Sequence, residues 1–167
     1  MRKQRLMMFG MVLLGLLLSG SLLAQPFMER TGRWAVGGGL GITEDPSLYG
    51  LWADVNYYII DEVAVGPLLQ YEFKDDDSIF GVAGMVKYSA VLSGSKVVRP
   101  YGQVGIGFIQ YDVKDLFDGD KKTTYLFPVG GGIEFKLNDS LSLDGNLLFN
   151  LSDEIFVGLF VGVDYIF

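Results

Sequence analysis

The chain has 167 residues, half of them apolar, with a formal charge of −7, no cysteine and no histidine. That length holds one domain of ordinary size, and the acidic balance argues against nucleic acid as a partner. Without cysteine the chain has no disulfides to lean on, and without histidine it lacks the usual proton shuttle of a hydrolase near neutral pH.

At the N-terminus Arg2, Lys3 and Arg5 precede an apolar run from Leu6 to Leu18, followed by Ser19, Gly20, Ser21 and Ala24. A charged head, a short apolar middle and small residues before a cut site predict a secretory signal peptide over residues 1–24. The run is short for a spanning helix, which needs about 18 apolar residues. No cysteine stands before the cut, so no lipid attachment site is expected. Residues 1–24 carry three basic and no acidic side chains, so cleavage takes the formal charge from −7 to −10 and leaves residues 25–167 as one domain.

Beyond a polar lead from Gln25 to Gly32, turn-forming clusters divide the chain into eight alternating runs: Arg33–Ile42, Leu48–Ile60, Val63–Phe73, Ile79–Val91, Tyr101–Val113, Thr123–Leu137, Ser140–Leu151 and Ile155–Phe167. Alternation of apolar and other residues at period two predicts strands, and Gly, Pro, Asn, Asp and Ser between them predict turns. The connections differ in character. Those after runs one, three, five and seven hold Glu44-Asp45-Pro46, Lys74 to Ser78, Lys114 to Lys122 and Ser152-Asp153-Glu154, whereas tight turns are expected at Asp61-Glu62 and Asn138-Asp139.

One parity of each run is apolar: Trp34, Val36, Leu40 and Ile42 in the first, and Tyr125, Phe127, Val129, Ile133 and Phe135 in the sixth. The other parity collects the charges Arg33, Asp54, Glu72, Lys87, Glu134, Lys136, Asp144 and Asp164, predicted to form a charge network. A basic side chain facing lipid near the midplane costs about 2–4 kcal/mol, so segregation of this kind predicts apolar faces outward and charges inward. A soluble lipocalin-like barrel would show the same rows with the faces reversed. Size favours the first arrangement, because the interior of eight strands has little room and Gly37, Gly39, Gly41, Gly105, Gly107, Gly130 and Gly132 lie on the mixed face. The expected fold is therefore all-β, an eight-stranded antiparallel up-and-down transmembrane β-barrel.

These features, with the terminal Val161, Val163, Tyr165 and Phe167 at alternate positions, resemble the small outer-membrane β-barrels of Gram-negative bacteria, the OmpA-, OmpX- and OmpW-like group. The resemblance covers the mature chain and is specific for architecture. It implies a place in the cell outer membrane, contact with outer-membrane lipid and lipopolysaccharide, a monomer, and recognition of those four residues by the outer-membrane assembly machinery. Barrel enzymes of this kind depend on a catalytic histidine, so no catalytic residue is expected, and no cofactor or metal ligand is singled out.

Three features sit poorly with closed strands. Pro67 and Pro128 fall inside runs and cannot donate to a ladder, so bulges or missing bonds are expected there. Gln110 and Asp112 share the lipid-facing parity of the fifth run, so either that strand has left the membrane or a bulge turns Ile109 and Tyr111 outward. Aromatic residues near strand ends, Trp34, Tyr57, Tyr88, Tyr101, Tyr125 and Phe167, are expected in interfacial girdles. Asp75-Asp76-Asp77 and Asp118-Gly119-Asp120 lack the spacing of a calcium loop and read as solvated loop tips.

The functional expectation is a non-enzymatic outer-membrane barrel with a plugged lumen and a structural or surface-interaction role. An alternative places Trp52, Leu126, Leu148, Phe156 and Phe160 around an apolar pocket or narrow conduit for small hydrophobic molecules, as proposed for OmpW-like proteins.

Overall fold

The computed structural model describes residues 29–44, 47–74, 77–90, 97–112 and 122–167. The expected signal peptide lies outside these residues, as do Asp75, Asp76 and the Asp118-Gly119-Asp120 run. Eight strands are present: β1 (Trp34–Glu44), β2 (Tyr49–Ile60), β3 (Val63–Lys74), β4 (Asp77–Ser89), β5 (Val98–Asp112), β6 (Lys122–Lys136), β7 (Leu141–Leu151) and β8 (Phe156–Ile166). Each pairs antiparallel with its neighbours in sequence order, and β1 pairs with β8 from Ala35↔Ile166 to Glu44↔Val157. The sheet therefore closes and keeps no free edge.

The ladders also set the tilt. Trp34 pairs with Tyr57, and the circuit continues through Val65, Val86, Val104, Val129, Phe149 and Val157. It returns to β1 at Glu44, ten residues from its start. With strands ~4.8 Å apart and ~3.3 Å of rise per residue, that stagger corresponds to a strand tilt of roughly 40°, inside the usual range for barrels. A strand of eleven residues, such as β1, then rises about 27 Å along the barrel axis, close to the thickness of a hydrocarbon core.

Alternation decides the faces as expected. Trp34, Leu40, Tyr49, Leu69, Phe80, Val86, Ile106, Phe108, Tyr125, Phe127 and Tyr165 are all exposed on the outer wall. The mixed parity is inside, with Asn56, Gln70, Lys87, Glu134, Asp144 and Asp164 buried. A soluble barrel would require the reverse. At each of the seven glycines named above on the mixed face a side-chain carbon would overlap a neighbouring atom, so each marks a place where strand or side chain crowds the wall.

Both prolines interrupt a ladder without shifting it. Opposite Pro67, the β2–β3 rungs stop at Asp54↔Leu68 and resume at Tyr57↔Val65. Opposite Pro128, the β5–β6 rungs stop at Val104↔Val129 and resume at Gly107↔Leu126. Missing bonds, not bulges, accommodate them. The β4–β5 register likewise runs unbroken through Ile79↔Tyr111 and Phe80↔Gln110. Gln110 stays outward while Ile109 and Tyr111 are buried, so no bulge turns those two outward. Strand β5 starts at Val98, three residues earlier than the sequence suggests, because Arg99 and Pro100 pair with Glu134 and Ile133.

Candidate functional site: the barrel lumen

The inward side chains form layers. Nearest the ends of β1 and β8, Ala35, Tyr58, Ala64 and Ile166 make a small apolar cluster. Arg30, in the segment before β1, is 2% exposed and lies over the Tyr58 ring, with its carbon Cζ 5.1 Å from the ring centre. It donates to the Tyr58 hydroxyl (2.8 Å) and to Glu134 Oε2 (2.6 Å). Its backbone N–H is held by Asp61 Oδ1 at 2.9 Å, which ties the segment to the β2–β3 turn.

The acid–base layer follows. Glu134 is bridged by Arg30 and by Lys87, whose Nζ is 2.7 Å from Oε1. Lys87 also stands 3.9 Å from Asp144 Oδ2 and 3.8 Å over the Tyr101 ring. The Tyr101 hydroxyl donates to Asp144 Oδ1 (3.0 Å), as does Asn146 (2.8 Å), while Asn56 donates to Asp54 (2.7 Å). Asp164 is buried beside Glu134 and Asp144, yet neither of its carboxylate oxygens has a hydrogen-bond donor. Ion pairs of this kind offset the heavy cost of taking charge out of water.

Of the eight charges expected in one network, the structure brings together Asp54, Lys87, Glu134, Asp144 and Asp164. The other three are placed elsewhere. Arg33 is half-buried in the turn before β1, and the cation expected from it is supplied by Arg30, which the sequence reading left in the polar lead. Lys136 pairs with Asp139 of the β6–β7 turn at 2.7 Å. Glu72 lies at the opposite end of the lumen, fully buried, with no partner for either oxygen among the described residues. Arg99, also missed, is 1% exposed and pairs with Asp61 at 3.0 Å. Tyr101 points inward and is no girdle residue. The outward pairs Trp34–Tyr57 and Tyr165–Phe167 lie near one rim, and Tyr71–Phe73 and Phe108–Tyr125 near the other.

Toward the Glu72 end of the lumen, Trp52, Leu126, Leu148, Phe156 and Phe160 are all brought into one buried cluster with Leu68, Ile79, Met85, Ile109 and Tyr111. They pack on one another. The described cavity, bounded by Trp52, Asp54, Leu68, Gln70, Lys87, Tyr101, Leu148 and Phe160 among others, measures about 10 Å³, room for about one water. At the mouth Tyr111 and Ser152 share a hydrogen bond, and Lys122 of β6 meets Asp153 of the β7–β8 connection at 2.6 Å. That bond and the ammonium charge hold the Asp153 carboxyl below the ordinary carboxylate range. Val161, Val163, Tyr165 and Phe167 lie along the outer wall, the last donating its N–H to Trp34 O at 3.0 Å.

Comparison with known proteins places this architecture. The barrel is similar to the N-terminal β-barrel domain of Pseudomonas aeruginosa OprF, at 13% identity and TM-score 0.68, covering 84% of this chain and 100% of that one. It is also similar to Ail, the attachment invasion locus protein of Yersinia pestis, at 15% identity and TM-score 0.58, covering 84% and 100%. For the outer membrane protein OprG of Pseudomonas aeruginosa the figures are 12% identity, TM-score 0.61, and 86% and 99% coverage. At such identities the likeness is one of fold. A comparison with curated proteins returned no match. The family model described as outer membrane protein beta-barrel domain matches residues 14–167, and the chain belongs to that family.

Proposed function

We propose that this protein is an integral outer-membrane barrel with a plugged lumen, acting as a structural or surface-interaction component and not as an enzyme. The observation that carries the reading is the interior: an acid–base layer and an apolar layer pack it, and the cavity described between them measures about 10 Å³. A pore needs continuous water, and this space holds about one molecule. The outer belt of exposed Leu, Val, Ile, Phe and Tyr suits outer-membrane lipid as its solvent, with lipopolysaccharide at the outer rim and the assembly machinery reading the C-terminal strand. The absence of histidine from the whole sequence supports the non-enzymatic part, since general acid–base hydrolysis near neutral pH leans on imidazole.

The test is reconstitution of the refolded protein into planar bilayers. The plugged reading expects no steps above the lipid background for the natural sequence, and steps only when Trp52→Ala and Phe160→Ala are combined with Lys87→Ala and Glu134→Ala in the acid–base layer. Steady conductance from the natural sequence would overturn it. Uptake of a hydrophobic dye by the natural sequence, lost on Trp52→Ala, would instead favour the apolar conduit. Membrane fractionation, with a heat-dependent shift in gel mobility, tests the location.

A further inference from the structure

The acid–base layer is unbalanced. Among the described residues that meet there, the carboxylates are Asp54, Glu134, Asp144 and Asp164, and the cations are Arg30 and Lys87. Both cations lie closest to Glu134, at 2.6 and 2.7 Å, and Lys87 reaches Asp144 only at 3.9 Å. Asp164 is 5% exposed, and neither of its oxygens has a donor; Asp54 Oδ1 also lacks one. The ladder explains how these two aspartates meet. Asp54 on β2 and Asp164 on β8 are the two cross-strand partners of a single residue, Gly37. A side-chain carbon on Gly37 would overlap the Oδ1 of both, and would lie 3.2 Å from Cζ3 of Trp52. The glycine thus leaves a gap in the wall into which two carboxylates converge beside an indole.

We infer that the acid–base layer beside this gap holds a divalent cation of the size of Ca²⁺, bound by Asp164, Asp144 and Glu134, with Asp54 next to them. Two unbalanced negative charges out of water demand neutralisation, and one divalent ion supplies it. One carboxylate oxygen from each of Glu134, Asp144 and Asp164 lies within 4.8 Å of the other two. Oxygens that share a Ca²⁺ at about 2.3–2.6 Å stand up to about 5 Å apart, whereas around Mg²⁺, at about 2.0–2.1 Å, the limit is about 4.2 Å. The 4.8 Å bound admits the larger ion, and Ca²⁺ is favoured because Mg²⁺ keeps several waters and near-ideal octahedral geometry, which a closed layer does not offer. Lys87 remains on Glu134, and the ion takes the side that no donor serves. The proposal rests on the reading that this layer is closed to bulk water, and the two fail separately: conductance bears on the plug, ion binding on the site.

The probe is Tb³⁺, which matches Ca²⁺ in size and emits when an excited indole lies within a few ångströms. The chain has two tryptophans; Trp34 is on the outer wall and Trp52 adjoins the gap. The full mature chain is refolded with Tb³⁺ in detergent and washed, and heat-dependent gel mobility selects the folded fraction. One ion per barrel is expected, with emission excited through Trp52, competed by Ca²⁺ at lower concentration than by Mg²⁺. With excitation at the red edge, where indole absorbs and the phenol of Tyr101 beside Asp144 does not, Trp52→Phe should abolish the emission while retaining the ion. Asp164→Asn should weaken Ca²⁺ competition at least tenfold; should that variant not fold, Asp54→Asn serves, with a loss of threefold or more. No sensitised emission from the natural sequence overturns the site, and means that protons balance the layer. Emission that survives Trp52→Phe, or affinity unchanged in the folded aspartate variant, also overturns it, by placing the ion on the surface.

Discussion

Replacing Glu134 by Gln removes the one carboxylate that serves two buried cations. At the observed 2.6 and 2.7 Å, an effective dielectric constant of ~20 gives each pair a gross attraction of about 6 kcal/mol. Desolvation of the three ions offsets most of that. What remains after deleting one partner of a buried pair is a loss of about 3–5 kcal/mol, chiefly the penalty of the charge left behind. Glutamine keeps the shape and one acceptor, so the expected loss is about 3 kcal/mol. Glu72→Gln is the matched control: the same substitution, equally buried, at a carboxylate without a partner among the described residues. There the change removes no ion pair, because an isolated buried carboxyl is neutral, and the effect should stay within about 1 kcal/mol. Urea unfolding in lipid vesicles, followed by tryptophan fluorescence and gel mobility, measures both. Equal losses for the two variants, or a loss below about 1 kcal/mol for Glu134→Gln, would refute the assignment of the ion pairs.

Gly66→Ala should destabilise the barrel by at least the ~1–3 kcal/mol typical of overpacking, because its methyl would overlap the Val55 carbonyl where the β2–β3 ladder is already open. Gly145→Ala, with nothing within 4 Å, should refold like the natural sequence, and refolding yields compare the two. Deleting Phe167 removes an outward ring and one hydrogen bond to Trp34; the amount reaching the outer membrane of cells should fall several-fold, while spontaneous refolding into detergent changes little. Asp153 should titrate below the ordinary aspartate range and return to it in Lys122→Ala, as followed by carboxyl NMR. Since its folded value is depressed, whatever the pair contributes is present above the unfolded value and lost as pH falls through the folded one.

The strands were legible because closure leaves every strand two uniform faces, and a period of two then repeats for eleven or more residues. What period cannot encode is stagger, so the ten-residue shear and the meeting of Asp54 and Asp164 at Gly37 emerge only from the ladders. Arg30 was hidden for another reason: it precedes β1, and the hydrogen bonds that fold its segment under the barrel belong to Asp61 and Tyr58, distant in sequence. Arg99 did carry a signal, since it shares the inward parity of Tyr101 and Gln103, but Pro100 looked like a turn. Tyr101 was placed in a girdle by its nearness to a strand end. Parity outweighs that nearness, because the pleat decides the face before the rim decides the depth.

The interior also shows why plugging and strand composition are one problem. Phe160 fills space left by Gly41, Gly50 and Gly158; Trp52 fills that left by Gly37, Gly39 and Gly162; Tyr101 stands against Gly132. Each large ring is thus matched by glycines on its own strand or on strands up to two away, where a side chain would crowd it. Truncating a single ring opens a hole that still ends at the Glu134, Lys87 and Arg30 layer. Restoring side chains at the glycines alone would instead overfill the bore. A barrel of this family could pass from filled to open only by losing rings and redistributing the acid–base layer together, so single substitutions should change its stability well before they change its permeability.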